Sequence, residues 1–293
     1  MTVADGELTR KIFVARRETG RGWGELILQG ISYFFLTFGG LSMVVPFLWM
    51  VGTSLKPAGE IYQTSFFPSS PTLANYQEVI FRTEFPHWYL NSLIVAIIST
   101  TSVAFFDTLA GYTFAKFDFP LKNLMFLLIL STLMVPTEML IIPWYIMSVK
   151  FNWVDTYWGI AFPGVITASG VFLMRQFMTG VPNELIDAAR IDGLWEFGIF
   201  YRIAVPLVKP AIAALCIFNF LGNWNAFIWP LIVTSKRLTM TLPVGLSFFS
   251  GEAGSDWHLI MTGATLSVIP LMTVVIIFQR QIIQGIALTG LKA

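Results

Sequence analysis

Long apolar runs alternate with short charged stretches along the chain. The first run extends from Leu26 to Leu55 and the second from Phe85 to Phe106. A third lies between Lys122 and Lys150, interrupted only by Glu138. The fourth covers Thr156 to Met174, the fifth Pro210 to Ser235 and the sixth Trp257 to Gln279. A helix rising 1.5 Å per residue needs about 20 apolar residues to cross ~30 Å of hydrocarbon. The pattern therefore predicts an all-α polytopic membrane protein with six transmembrane helices. The Lys56–Glu84 segment, with Pro57, Pro68 and Pro71, reads as an extracytoplasmic loop.

Positive charge sets the expected orientation, because Lys and Arg are retained on the cytoplasmic side. Thirteen of the 18 cationic side chains precede the first helix, follow the sixth, or lie in the second-to-third and fourth-to-fifth connections. Both termini are thus expected in the cytoplasm. Residues 1–25 are expected to be a cytoplasmic segment, 26–281 the transmembrane domain with a cytoplasmic loop at 176–205, and 282–293 a cytoplasmic tail. The first apolar run is too long for a secretory leader and no small-residue cleavage site follows it, so it is expected to stay as an uncleaved anchor.

Composition narrows the function classes. Charged residues are 12% of the chain against the roughly 25% usual in soluble domains, and 55% of residues are apolar. A folded domain of ~300 residues buries only about 75% of its unfolded surface, so a soluble enzyme could not hide this much apolar area. The net charge of +1 argues against a nucleic-acid partner. The lone Cys216 excludes an intrachain disulfide and a cysteine zinc cluster.

Bundle helices are usually joined by short loops. The fourth and fifth runs are instead separated by the stretch from Gln176 to Val205, which carries its own periodicity. Pro182 and Asn183 open a short helix there. Glu184 and Asp187 fall near its N-terminus, where the helix dipole favours anions. Leu185, Ala188, Ala189 and Asp192 follow, and Gly193 ends it. A second short helix is expected over Leu194–Ile203, with Pro206 marking the start of the fifth membrane helix. Two readings stand at this point: the small-residue face docks a partner, or the helix rests on lipid headgroups.

Asp187-Ala188-Ala189, three residues, Gly193, nine residues and then Ile203-Ala204-Val205-Pro206 resembles the EAA loop of ABC importer permeases. Asp187 stands where that family usually has Glu, and Val205 where it has Leu. Similarity continues through Thr53-Ser54-Leu55-Lys56-Pro57, Asn91-Ser92-Leu93, Ala110-Gly111-Tyr112-Thr113-Phe114-Ala115, Arg175-Gln176-Phe177 and Trp224 to Leu231. The chain resembles the smaller permease subunit of carbohydrate-uptake importers such as the maltose system. It is also similar to the second permease of an alginate-oligosaccharide importer, although a uronate path calls for basic groups and the expected membrane interior holds none.

The resemblance implies the type I ABC importer permease fold in a bacterial inner membrane. It also implies a docking role for the loop, with Glu184, Asp187, Ala188, Ala189, Asp192, Gly193, Ile203 and Pro206 coupling to an ATPase subunit. Gly290, Leu291 and Lys292 resemble a tail that reaches between ATPase subunits in the maltose system. The implied partners are a larger permease, two ATPase subunits and a periplasmic solute-binding protein, with lipid around them. ATP and Mg would belong to the ATPase subunits and no cofactor to this chain.

The residues themselves support no covalent chemistry. Gly285, Gly290, Leu291 and Lys292 do not make a phosphate-binding loop, because leucine replaces the lysine required after the second glycine. His87 and His258 are not spaced as a metal pair. Thr167-Ala168-Ser169-Gly170 lacks the first glycine of an intramembrane serine-protease turn. Polar groups at membrane depth are costly and point to function. Glu138 follows Pro136 and either faces a translocation path or pairs with a neighbouring subunit. Asn219, Asn223, Trp224 and Asn225 offer amides and an indole suited to a sugar path, or else interhelical hydrogen bonds. Asp107 reads as a position near the cytoplasmic interface, with a helix–helix hydrogen bond as the alternative. An ion-driven secondary transporter is the rival class, and it calls for inverted repeats and paired intramembrane charges.

Overall fold

The computed structural model describes residues 23–63, 65–251 and 254–290. Helix α1, Trp23–Ser54, is apolar on all sides, and none of its apolar window is buried in the chain. Just beyond it Lys56 is fully buried. Its ammonium donates to the carbonyls of Gln63 and Ser65 and lies 5.2 Å from the Trp49 ring centroid. Asn75 opens the next turn on α2, Ala74–Arg82, and donates to the carbonyls of Ser54 and Lys56. The first of these bonds satisfies the Ser54 carbonyl that the end of α1 leaves open.

Helix α3, Phe85–Lys116, is the axis of the body and runs ten residues past the second apolar run. The third run does not form one helix. It divides into α4 (Lys122–Ser131), two 3-10 turns (Thr132–Met134 and Thr137–Leu140) and α5 (Ile141–Lys150), with a bend of 98° between its halves. Pro136 is the physical cause, since it has no N–H and forces Val135 into an extended conformation.

The fourth run divides in the same way, into α6 (Tyr157–Ala161), a 3-10 turn (Phe162–Gly164) and α7 (Ala168–Thr179), bent by 47°. Thr156 and Thr167 cap the two helices through their hydroxyls. Helix α7 lies against α3 at Gly111, where a Cβ would stand 2.5 Å from Met174 Cβ and 2.7 Å from the Arg175 amide.

Beyond it come α8 (Asn183–Ile191), α9 (Glu196–Ile199), a π turn (Phe200–Ala204), α10 (Val205–Leu207) and α11 (Lys209–Trp224). The second helix of the loop therefore begins at Glu196 rather than Leu194 and continues to Leu207 rather than stopping at Ile203. Pro206 sits inside that helical stretch, and the chain turns by 83° at Val208 before α11. Pro210, in the first turn of α11, marks the start expected at Pro206.

The chain closes with α12 (Ile228–Val233), α13 (Leu242–Ser247), a two-residue antiparallel pair β1 (Ser250–Gly251) and β2 (Gly254–Ser255), and α14 (Trp257–Gly290). Among the described residues, α1, α3 and α14 are long and apolar enough to cross a membrane alone, and the number rises to six when each bent pair is one span. Two main apolar cores form around α3. One joins Tyr112, Met174, Met178, Ile186, Ile199, Phe200 and Leu215 at the end that carries the loop. The other joins Trp88, Phe220, Trp224, Leu242 and Val244 at the far end.

Candidate functional site

The loop is built as a rigid unit. Helix α8 turns Ile186 and Ala189 into the body and leaves Glu184, Leu185, Asp187 and Ala188 exposed. Gly193 terminates it with a φ of +80°, and a Cβ there would meet no neighbour. The Leu194 amide donates to the Ala189 carbonyl at 3.0 Å, and the Gly193 amide to Arg190 at 3.1 Å. This is the Schellman arrangement, in which a left-handed residue closes the last turn. Glycine takes that conformation without the ~1–2 kcal/mol penalty of a side chain.

Arg190 braces the two short helices. Its Nε donates to Glu196 Oε1 at 2.7 Å, and its Nη1 to Asp187 Oδ1 at 2.9 Å. The hydrogen bond and charge of Glu196, joined by those of Asp187, hold its proton more firmly than usual. Asp187 thus points to the neighbouring arginine. Lys116, the last residue of α3, donates to the Val181 carbonyl and to Asn183 Oδ1, tying the start of α8 to the body.

Between the short helices lies an open groove of about 420 Å³ lined by Leu185, Ala188, Ala189, Asp192, Leu194, Arg202, Ile203, Pro206 and Leu207. Five of the eight loop residues singled out from the sequence, Ala188, Ala189, Asp192, Ile203 and Pro206, share this wall. Glu184, Asp187 and Gly193 do not line it. Of the tail, Gly290 is the last residue of α14, while Leu291 and Lys292 lie outside the described residues.

Asp107 has a structural partner. It is fully buried in the chain, and it accepts from the Thr167 amide at 3.0 Å and the Thr167 hydroxyl at 2.6 Å. With Ser102 donating to the Val165 carbonyl, it pins the bend before α7 to α3. The helix–helix hydrogen bond, the less favoured of the two sequence readings, is the one formed.

The polar residues of the fifth run separate into three places. Asn223 donates to Asn219 Oδ1, which also accepts from Thr100 on α3. Trp224 is turned away from them, only 1% exposed, with its Nε1 donating to the Ser267 carbonyl of α14. Asn225 and Glu138 come together instead. They share a cavity of about 360 Å³ with Thr137, Ile141, Trp144, Ala226, Phe227, Ile228 and Trp229. The aromatic members were missed from the sequence, although Trp229 lies in the quoted Trp224–Leu231 stretch. Trp144 and Trp229 meet edge to face at 5.6 Å, and Trp229 packs on Phe162 at 5.7 Å.

A further joint was also missed. Asp155, with φ +59°, accepts from the Ser235 amide at 2.7 Å, the Lys236 amide at 3.0 Å and the Thr239 hydroxyl at 2.9 Å. Burial pushes its carboxyl up, but these bonds and the Lys236 charge outweigh burial and leave it below the usual aspartate range.

Comparison with known proteins agrees with the architecture. The family described as "Binding-protein-dependent transport system inner membrane component" matches residues 107–288. The arabinooligosaccharides transport system permease protein AraQ of Bacillus subtilis is 33% identical over 272 residues, covering 89% of this chain and 95% of that protein. The lactose transport system permease protein LacG of Rhizobium radiobacter is 30% identical, covering 87% and 93%. The sn-glycerol-3-phosphate transport system permease protein UgpE of Pectobacterium atrosepticum is 31% identical, covering 88% and 96%. A chain of a bacterial ABC transporter involved in the import of the acidic polysaccharide alginate shares the fold, with a TM-score of 0.80 at 19% identity over 89% of this chain and 98% of that one. The chain therefore belongs to the inner membrane components of binding-protein-dependent transport systems, as a permease subunit of an ABC importer.

Proposed function

We propose that this permease imports oligosaccharides and that the loop at 176–205 couples its motion to an ATPase. The groove of Leu185, Ala188, Ala189, Ile203 and Leu207 carries this reading. It presents small and apolar side chains between two helices braced by Arg190, a shape suited to a firm partner surface rather than to fluid lipid. Pressure on α8 would pass through Ile186 and Ala189 to Met178 and Tyr112, and through the turn at Val208 to α11. The permease supplies a lever and part of a channel, while ATP and Mg act on partner ATPase subunits.

In the proposed assembly one larger permease and two ATPase subunits join this chain, and a periplasmic binding protein delivers the substrate. Six spans are proposed in residues 26–281, the fifth beginning at α11 beyond the 83° turn so that Glu196–Ile203 stays with the loop, and the 1–25 segment, the loop and the 282–293 tail are placed in the cytoplasm. Glu138, Asn219, Asn223 and Asn225 line the proposed path, and Trp224 stays structural. Gly290, Leu291 and Lys292 are proposed to reach the ATPases. The names of AraQ and LacG support an oligosaccharide substrate. The ion-driven alternative has no observation in its favour.

Gly193→Asp tests the coupling. A side chain at φ +80° strains the end of α8. The expected result is a complex that still assembles in the membrane but hydrolyses ATP without uptake. Normal uptake would remove the loop from the mechanism.

A further inference from the structure

The cavity around Glu138 lies between two interruptions of helical structure. One is the Val135–Pro136 break before the 3-10 turn at Thr137; the other is the Asn225–Phe227 gap between α11 and α12. Irregular backbone within a membrane span is tolerated where it lines a cavity or is buried in protein. The 3-10 turn after the first break and the gap itself at the second line the same space of about 360 Å³. That volume falls in the range of small-ligand sites.

Its walls have a definite chemistry. Trp144, Phe227 and Trp229 supply aromatic surface. The Trp229 ring is held in place, because its Nε1 donates to the Gly159 and Ile160 carbonyls at 3.0 and 3.2 Å. Asn225 uses its Nδ2 on the Leu221 carbonyl at 2.9 Å, which fixes the amide and leaves its oxygen to accept. Glu138 is exposed and forms no ion pair among the described residues. It is the only charged side chain in the cavity wall.

We infer that this cavity is a sugar-ring subsite for uncharged saccharides and that Glu138 turns acidic ones away. The inference rests on the saccharide-importer reading and narrows its substrate class. An aromatic wall packs on the C–H face of a pyranose or furanose, while Asn225 Oδ1 and the Glu138 carboxylate accept from its hydroxyls. A uronate would bring a second anion beside Glu138 with no cation in the wall to offset it. Like charges brought together at a binding surface are strongly disfavoured.

The test uses the full complex with Cys216→Ala and a reporter thiol at Ala226→Cys, and follows alkylation by a small maleimide. The probes are cellobiose and cellobiouronate, which differ by one carboxylate. With Glu138 present, cellobiose slows alkylation, and cellobiouronate requires on the order of tenfold higher concentration for equal protection. Glu138→Gln brings the two probes together, and Glu138→Lys makes cellobiouronate the better protector. Absence of protection by cellobiose, or exclusion of cellobiouronate that persists in both variants, would overturn the subsite. Failure of the saccharide reading would look different: the unmodified complex would take up no uncharged saccharide, whereas failure of the subsite alone leaves uptake in place and removes only the protection.

Discussion

The loop groove and the Glu138 cavity are similar in volume and opposite in construction. The groove takes its walls from one contiguous stretch, Leu185 to Leu207, with small and aliphatic residues beside Asp192 and Arg202 and with a glycine-closed turn. The cavity collects Thr137–Trp144 and Asn225–Trp229 from two helix breaks far apart in sequence, and lines them with aromatic rings. A contiguous braced element transmits force as a unit. A site shared between breaks changes shape when its helices move. In the proposed mechanism the pair divides the work of a transport subunit, with the groove meeting the motor and the cavity meeting the cargo.

The strongest way to break this division is to perturb each side and read both. Gly193→Asp should lower uptake on the order of tenfold or more, while sugar protection at Ala226→Cys stays unchanged. Glu138→Gln should do the reverse, changing probe selectivity with ATP hydrolysis still tied to uptake. Loss of both functions from either change would merge the two regions into one.

Asp107 lies on the connection between them. Trp229 touches Phe162, the bend at Val165–Thr167 follows, and α7 leads on to the core that holds α8. Asp107→Ala leaves the Thr167 amide and hydroxyl without their acceptor, with an expected cost of ~1–3 kcal/mol read by thermal unfolding in detergent. Asp107→Asn retains one acceptor oxygen and should lose less.

Three of the six runs were legible as helices because hydropathy alone defines α1, α3 and α14. The other three were legible as apolar stretches but not as bent ones, since a bend leaves mean polarity unchanged. Pro136 was the visible sign of the sharpest break. The loop was readable because its periodicity, Pro182 and Gly193 are local signals, and only its second helix was misjudged. The π turn Phe200–Ala204 carries that helix through Pro206. Asp107 was placed by its distance in sequence from Lys116, which says nothing of α7 packed against it. Trp224 was grouped with Asn223 and Asn225 by adjacency, although consecutive helical residues do not share a face. Asn219 and Asn223, four residues apart on one face, are the members of that cluster that do meet.

Smaller effects sharpen the comparison at its edges. Asp155 has a folded pKa below its unfolded value of about 3.9. Its stabilisation is therefore complete above that unfolded value and is lost as pH falls through the lowered folded value. Hydrogen exchange at the Ser235 and Lys236 amides should rise below about pH 4, and Asp155→Asn should flatten that dependence. Arg190→Ala should cost only ~0.2–1 kcal/mol of stability, because its ion pairs are exposed. Its effect on the ratio of uptake to ATP hydrolysis should be larger than its effect on melting.

The central claim is that the small-residue face of α8 meets the ATPase. Ala188→Cys, with Cys216→Ala removing the chain's other thiol, places one reactive group in the groove. A short bifunctional thiol reagent applied to the assembled complex should yield a single adduct of permease with ATPase, with a yield that changes on trapping ATP. Full reaction of that thiol with a lipid-anchored maleimide, and no ATPase adduct, would contradict the account.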